Sequence, residues 1–454
     1  MSRVQQVDFE RDKIHRIILK TSVPMLVAEL LSLLYSIVDR IYIGRLTVGE
    51  VSALSGIGLC FPIIILTTGF ANLYGMGGAP LMSMALGRRE PEKAGVYLNT
   101  SLRLIVITSL IMTLLGEVMA EPLLRLFGAD ADTMPMALPY LRIYLLGTMA
   151  SMLASGLNPY INAQGYPNVG MLSIAAGTML NLILDPIFIF AMGMHVRGAA
   201  IATVLSQMVS AGIAVSFLAL GQSQLKLEKP IPGQPLLSRA GEIISLGTAS
   251  FIMACTNSFV TIACNSVLSH FGGSIYVSVM TVISSIRQIL DTPVMALTNG
   301  ASPLMSFSYG SRNPGRIRRT IIIITVVTVA YTALVWLCIL AFPGMFVSIF
   351  TNDANLANLA VRALNIYFFA FVFQALQYCG QSVFKALNKK KQAIFFSLLR
   401  KAILVIPLTY LLPYCFGTGT DGVFLAEPIS NVVGGLACFA TMLVLTGKEL
   451  KTME

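Results

Sequence analysis

The chain has little charge: Asp, Glu, Lys and Arg make up 11% of its 454 residues, against 56% apolar residues. A soluble domain carries about a quarter of its residues charged to cover its surface, so that class is excluded. Histidine is scarce. His15, His195 and His270 lie far apart, and the seven cysteines (Cys60, Cys255, Cys264, Cys338, Cys379, Cys415 and Cys438) form no C-x-x-C pair. Neither set gathers the ligands of a zinc or copper site, and the cysteines read as small apolar packing residues. No G-x-x-x-x-G-K-[ST] loop is present, which removes ATP as the direct energy source, and neither an enzyme nor a bound cofactor is expected. The leading segment, Met1 to Lys20, mixes charges, and no small-residue cleavage site follows an early apolar core, so the first span is expected to stay as an anchor.

What remains is a succession of apolar runs, each near the length of about 20 residues that crosses a bilayer as a helix. They can be drawn at 18–44, 53–86, 95–118, 135–163, 169–194, 197–220, 240–269, 274–309, 317–341, 357–387, 393–413 and 422–446. The expected fold class is therefore all-α, a polytopic membrane protein of about twelve transmembrane helices. The net charge of +10 sorts by loop. Arg3, Arg11, Lys13 and Arg16, then Arg88, Arg89 and Lys93, then Lys226, Lys229 and Arg239 occupy alternate connections. Arg312, Arg316, Arg318 and Arg319, then Lys385 and Lys389 to Lys391, then Lys448 and Lys451 continue the series. The intervening loops carry Glu50, Asp130, Asp132, Asp353 and Asp421. By the positive-inside rule both termini are cytoplasmic. The basic balance thus reports topology in a cytoplasmic membrane and not a nucleic-acid partner.

Residues 80–91, PLMSMALGRREP, match 303–314, PLMSFSYGSRNP, at seven of twelve positions and an offset of 223. Asn162-Ala163-Gln164-Gly165 likewise faces Lys385-Ala386-Leu387-Asn388, and Gly198-Ala199-Ala200 faces Gly422-Val423-Phe424. The chain reads as a duplication, with an N-terminal six-helix lobe at 1–220, a polar cytoplasmic linker at 221–237 containing Pro230, Pro232 and Pro235, and a C-terminal six-helix lobe at 238–454. An even number of spans per half makes the two bundles a parallel repeat about a pseudo-two-fold axis along the membrane normal. Secondary transporters bind and rock at such repeat interfaces.

Two carboxylates lie inside apolar stretches, Asp39 and Asp185. A charge at a helix centre costs roughly 2.5 to 3.5 kcal/mol on insertion scales, so an intramembrane acid is a functional suspect. Asn181 and Asp185, four apart, share one helix face, and Pro186 cannot donate the usual backbone bond, which frees a nearby carbonyl. Counting residues from the cytoplasmic side puts Asp39 and Asp185 at similar depth, with Thr203 early in the returning sixth span. These four can meet in the outer half of the first bundle, where hard oxygen ligands suit sodium or a proton. The alternative is a static salt bridge with Arg40, Arg103 or another basic residue. Asn158 and Asn162 form a further polar pair that suits either ligation or interhelical hydrogen bonding.

The V-D-R-I-Y-I-G run around Asp39, the N-L-I-L-D-P run around Asp185, the A-Q-G-Y-P turn at 163–167 and the G-A-A-I-A-T run ending at Thr203 resemble the MATE family of multidrug and toxic compound extrusion transporters, over essentially the full length. The resemblance implies a cation-coupling set of Asp39, Asn181, Asp185, Thr203 and Asn158, with Pro24 as a first-helix hinge. It also implies exchange of inward Na+ or H+ for outward organic cations, small molecules carried by a single monomeric chain in the lipid bilayer. Some relatives place a second acidic site on the seventh helix, but this seventh helix offers Asn257 and Asn265. The second half instead holds Arg287 and Asp291, read as an intrahelical pair, and Glu427, which is expected either to face a cationic substrate or to make a structural hydrogen bond. Tyr35, Met253, Met280, Gln288, Gln374, Gln377 and Tyr378 supply the aromatic faces and thioethers expected of a cleft for lipophilic cations, with ordinary packing as the alternative for each. The expected function is an alternating-access antiporter. Its rivals are a flippase for lipid-linked oligosaccharide or peptidoglycan precursors, kept open by Arg287 and Arg362, and a channel or receptor.

Overall fold

The computed structural model describes residues 6–44, 47–48, 51–221, 223–227, 239–351 and 353–453. Of the expected linker, residues 222 and 228–237 lie outside the described residues, as do Arg3, Glu50 and Lys229. Among the described residues the fold is all-α apart from one two-residue antiparallel pairing, β1 (Thr47–Val48) with β2 (Val51–Ser52). The first half runs α1 (Ile14–Gly44), α2 (Ala53–Gly58), α3 (Phe61–Gly87), α4 (Pro91–Leu126), α5 (Met134–Leu146), α6 (Thr148–Ala163), α7 (Pro167–Pro186) and α8 (His195–Leu220). Then follow α9 (Ala240–Gly310), α10 (Pro314–Ala341), α11 (Pro343–Ser348), α12 (Ala354–Tyr367), α13 (Phe371–Ala386), α14 (Lys390–Leu398), α15 (Ile406–Cys415) and α16 (Gly419–Lys451).

At about 1.5 Å per residue the 71 residues of α9 would extend over three times the hydrocarbon thickness. Gly273 interrupts it with φ 72° and ψ −170°, a conformation that side chains with a Cβ rarely adopt. Two spans result. Dividing α9 there, and counting the bent pairs α5–α6 (56°) and α12–α13 (54°) as one span each, gives twelve membrane-crossing helices among the described residues.

Duplication extends to the irregularities. Left-handed backbone recurs at Arg89 and Arg312 and at Gly165 and Asn388, each pair 223 residues apart, and at Gly193 and Gly417 and at His195 and Gly419, each pair 224 apart. The bends fall at equivalent helices, and so do two π-helical turns, Ile187–Ala191 after α7 and Leu399–Val405 after α14. Turn geometry, which fixes where each helix restarts, is thus repeated even where residue types have diverged.

Two compact units divide the chain: Met1–Asp12 with Val23–Phe251, and Lys13–Ser22 with Ile252–Glu454. Residues 240–251, which open α9, therefore belong with the first unit. There Tyr97 of α4 donates to Glu242 Oε2 at 2.6 Å, and Leu225 N donates to Gln164 Oε1 at 2.8 Å, tying down the chain after α8. The core of this unit is built from Met82, Leu98, Ile105, Met152, Leu157, Tyr160, Ile161 and their neighbours. A satellite cluster around Tyr140, Leu141, Leu145 and Ile189 packs α5 beneath α2. Core side chains of the second unit include Val267, Ile283, Leu364, Phe368, Phe371 and Phe424. Leu114, Val118, Leu220, Val326 and Leu334 are exposed, as expected of surfaces bathed in lipid.

Small residues let helix backbones approach: a Cβ on Gly247 would meet the Leu73 carbonyl, and one on Gly77 would meet the Ile243 carbonyl. Gly247→Val should lower stability by about 1–3 kcal/mol through overpacking. A thermal melt of the purified protein in detergent checks this, and an unchanged midpoint would contradict the α3–α9 contact.

Candidate functional site

The end of α7 builds the acidic pocket. Pro186, its last residue, has no N–H to give to the Leu182 carbonyl, and the helix widens into a π turn closed by Met192 N donating to Ile187 O at 2.8 Å. Such turns are frequent at functional sites because they re-aim side chains. One turn before the break, Asn181 Nδ2 donates to Asp185 Oδ1 at 2.8 Å. Asp185 is completely buried, and its Oδ2 takes no bond from an amide, hydroxyl or cationic donor among the described residues. The Asp39 carboxyl of α1 lies beside it. Bare carboxylates repel, so two this close need a proton or a small cation between them.

Tyr35, one turn before Asp39 on α1, lies near Thr203 of α8. Thr203 donates its own proton to Ala199 O at 2.9 Å. Tyr140 and Tyr144 of α5 stack on each other, their rings parallel within 9° and 6.5 Å apart. Both lie close to Tyr35, and Tyr140 is also near Asp39. The sequence reading overlooked these two. Their signal is the same i, i+4 spacing that marks Asn181 and Asp185. The side chain of Arg40 lies outside the described part of the chain.

Asp39, Asn181, Asp185 and Thr203 are therefore brought together. Asn158 is not placed with them: its Nδ2 donates to Gly170 O at 2.9 Å and its Oδ1 accepts from Asn162 at 2.9 Å. Gly170 lies 15 residues before Asp185 on α7, about 22 Å along the helix axis. Pro24 sits inside a continuous α1, next to Val23, where the first unit resumes.

The second unit holds a different polar cluster. Arg287 Nε pairs with Asp291 Oδ2 at 3.2 Å and its Nη1 with Glu427 Oε1 at 2.9 Å. Arg400 Nη1 reaches the same Glu427 oxygen at 3.1 Å, and Lys401 Nζ lies 3.0 Å from Oε1 and 3.1 Å from Oε2. A carboxylate held by three cations has no charge left to offer an organic cation, so the expectation that Glu427 faces such a substrate is corrected. Asp291 also accepts from Gln374 at 2.9 and 2.8 Å and from Tyr378 at 3.2 Å. Gln377 donates to the Phe396 carbonyl at 3.1 Å. Met280 packs in the apolar core, Met253 is half-buried and Gln288 exposed. Most side chains expected to line a cleft are thus engaged in the interior of the second unit. Arg400 and Lys401 were missed, although two adjacent cations within an apolar stretch carry the same signal as the aspartates.

A twelve-span all-α bundle of this topology defines a class, the polytopic membrane transporters. The MatE family model matches residues 24–187 and 249–411, most of the chain, and the protein belongs to that family. It is similar to the multidrug export protein MepA of Staphylococcus aureus strain MSSA476, 24% identical over 413 residues that span 90% of this chain and 89% of that protein. Similarity to the MepA of Staphylococcus saprophyticus is 24% over 437 residues, 96% of this chain and 95% of the relative. Among solved structures, an outward-facing multidrug resistance MATE transporter of the MOP superfamily superposes with a TM-score of 0.91 at 23% identity, covering 100% of this chain and 99% of that one.

Removing Glu427 would leave Arg400 and Lys401 buried without a carboxylate and Arg287 with Asp291 alone. Glu427→Gln should cost about 3–5 kcal/mol of stability, read as a lowered melting midpoint in detergent. A midpoint equal to that of the wild type would contradict the pairing described.

Proposed function

We propose that the protein is a secondary antiporter that exports organic cations across the cytoplasmic membrane, driven by inward Na+ or H+ at the Asp39–Asp185 pocket. The observation that carries this reading is the half-buried Asp39 carboxyl lying beside the buried Asp185, with Asn181 holding Asp185 in place. A pair that needs one positive charge between its members is a loading site for one small cation. A proton or sodium ion and an organic cation compete for the same negative charge, and that competition is the coupling. The export names of the staphylococcal relatives support the direction and the substrate class. Alternating access supplies the cycle: the loaded and unloaded pocket favour different conformations, with Pro24 as the flexible point of α1. Basic loops at Arg88, Arg89 and Lys93 and at Lys448 and Lys451 support cytoplasmic termini.

The flippase alternative draws no support from its two arginines. Arg287 is paired with Asp291 and Glu427, and Arg362 with Asp421.

In proteoliposomes, Asp39→Asn and Asp185→Asn should each abolish uphill efflux of a fluorescent organic cation while leaving membrane insertion intact. Imposing sodium and pH gradients separately identifies the coupling ion. Unimpaired uphill transport in either variant would reject the role given to the pocket.

A further inference from the structure

The end of the second unit where α14 begins and α16 stops is more basic than its internal contacts require. A cavity of about 250 Å³ opens there, lined by Lys389, Gln392, Leu445, Lys448, Glu449 and Thr452. Glu449, the one acid in that lining, is engaged at both oxygens: the Tyr309 hydroxyl donates to Oε1 at 2.6 Å, and Lys389 Nζ pairs with Oε2 at 2.6 Å. Thr452 donates its hydroxyl proton to the Glu449 carbonyl at 2.7 Å. The side chains of Lys448 and Gln392 make no hydrogen bond or ion pair among the described residues. Lys391 and Lys451 add exposed cations on adjoining turns.

The first unit closes the equivalent place with its own chain. There α8 ends at Leu220 and the residues after it fold back, with Leu225 buried and its N–H donating to Gln164 Oε1 at 2.8 Å. At the repeat offset of 223, Leu220 corresponds to Leu443 and Leu225 to Lys448. Helix α16 instead runs on past Leu443 to Lys451, about two further turns. Lys448 is left exposed on it, beside an open cavity.

Along both helices the chemistry changes in the same order with depth. On α14, Gln392 is followed one turn deeper by Phe395, and on α16, Lys448 is preceded one turn deeper by Val444; these two apolar side chains are 53% and 56% exposed. A cation and an amide above bare hydrocarbon fit an amphiphile with an anionic head. Phosphate oxygens would meet the ammonium and the amide, and acyl chains would continue over Leu445, Phe395 and Val444. A free phosphate would leave that apolar lower half unused.

We propose that this cavity binds one anionic phospholipid of the adjoining leaflet, its phosphate held by Lys448 and Gln392. The ligand is a membrane lipid and not cargo, so the site is independent of the transport reading.

Native mass spectrometry of the purified full-length protein tests this, after equilibration in neutral detergent with dioleoyl phosphatidylglycerol, dioleoyl phosphatidylcholine or glycerol 3-phosphate. Wild type should retain one phosphatidylglycerol about fivefold more tightly than phosphatidylcholine, the scale of one lysine at an anionic headgroup, and should not retain glycerol 3-phosphate. Lys448→Gln should hold the two lipids equally while melting at the wild-type midpoint, and Lys448→Arg should keep the preference. Arg319→Gln, which removes an exposed cation of α10 in the same unit, should keep it too. Equal retention of the two lipids by wild type overturns the site, and so does an undiminished preference in Lys448→Gln. An equal loss in Arg319→Gln would mark diffuse attraction by net charge and overturn it as well. Glycerol 3-phosphate retained as tightly as phosphatidylglycerol would mark a free-phosphate site and overturn the lipid assignment.

Discussion

The contact between Asp185 and Asp39 is the constraint on which the first unit turns. Two acids are held against each other where water is scarce, and the surroundings are arranged to keep them there. Asn181 grips one oxygen of Asp185, and Pro186 and the π turn set the aim of the helix end. A soluble protein could relax such a pair by solvating it. Inside a bilayer a positive charge between them would relieve the repulsion.

The second unit solves the same problem of charge in an apolar medium with opposite sign. Its elements repeat those of the first down to the left-handed turns and the π segments, yet the fifth and sixth helices of the repeat carry Arg400, Lys401 and Glu427 instead of an acidic pair. Duplicated backbone geometry has thus been kept while the polar cargo of the two interiors diverged.

Much of this was legible in the chain itself. Hydropathy placed a break between 269 and 274, and Gly273 supplies it, because a left-handed residue is needed to reverse direction between two apolar runs. Asp39, Asp185 and Asn181 stood out because buried charge demands a reason and helical spacing tells which side chains share a face. Partners contributed by distant segments were harder to foresee. Glu427 aligned with Thr203 by repeat, but its pairing with Lys401, 26 residues earlier, depends on how two helices pack. Asn158 and Asn162 announced their mutual bond through spacing of four, whereas the Gly170 carbonyl that receives Asn158 is a tertiary fact. The bends within the fourth and tenth spans left no clear hydropathy signature.

The central claim is that one small cation and one organic cation contend for a single shared carboxylate charge. Titration of the purified transporter with an organic cation in weakly buffered detergent solution, with a pH dye and a sodium electrode read together, tests it most directly. The account predicts release of about one H+ or Na+ per protein as the organic cation binds, and no release from Asp185→Asn. Binding with no ion released, at an affinity indifferent to both pH and sodium, would contradict it.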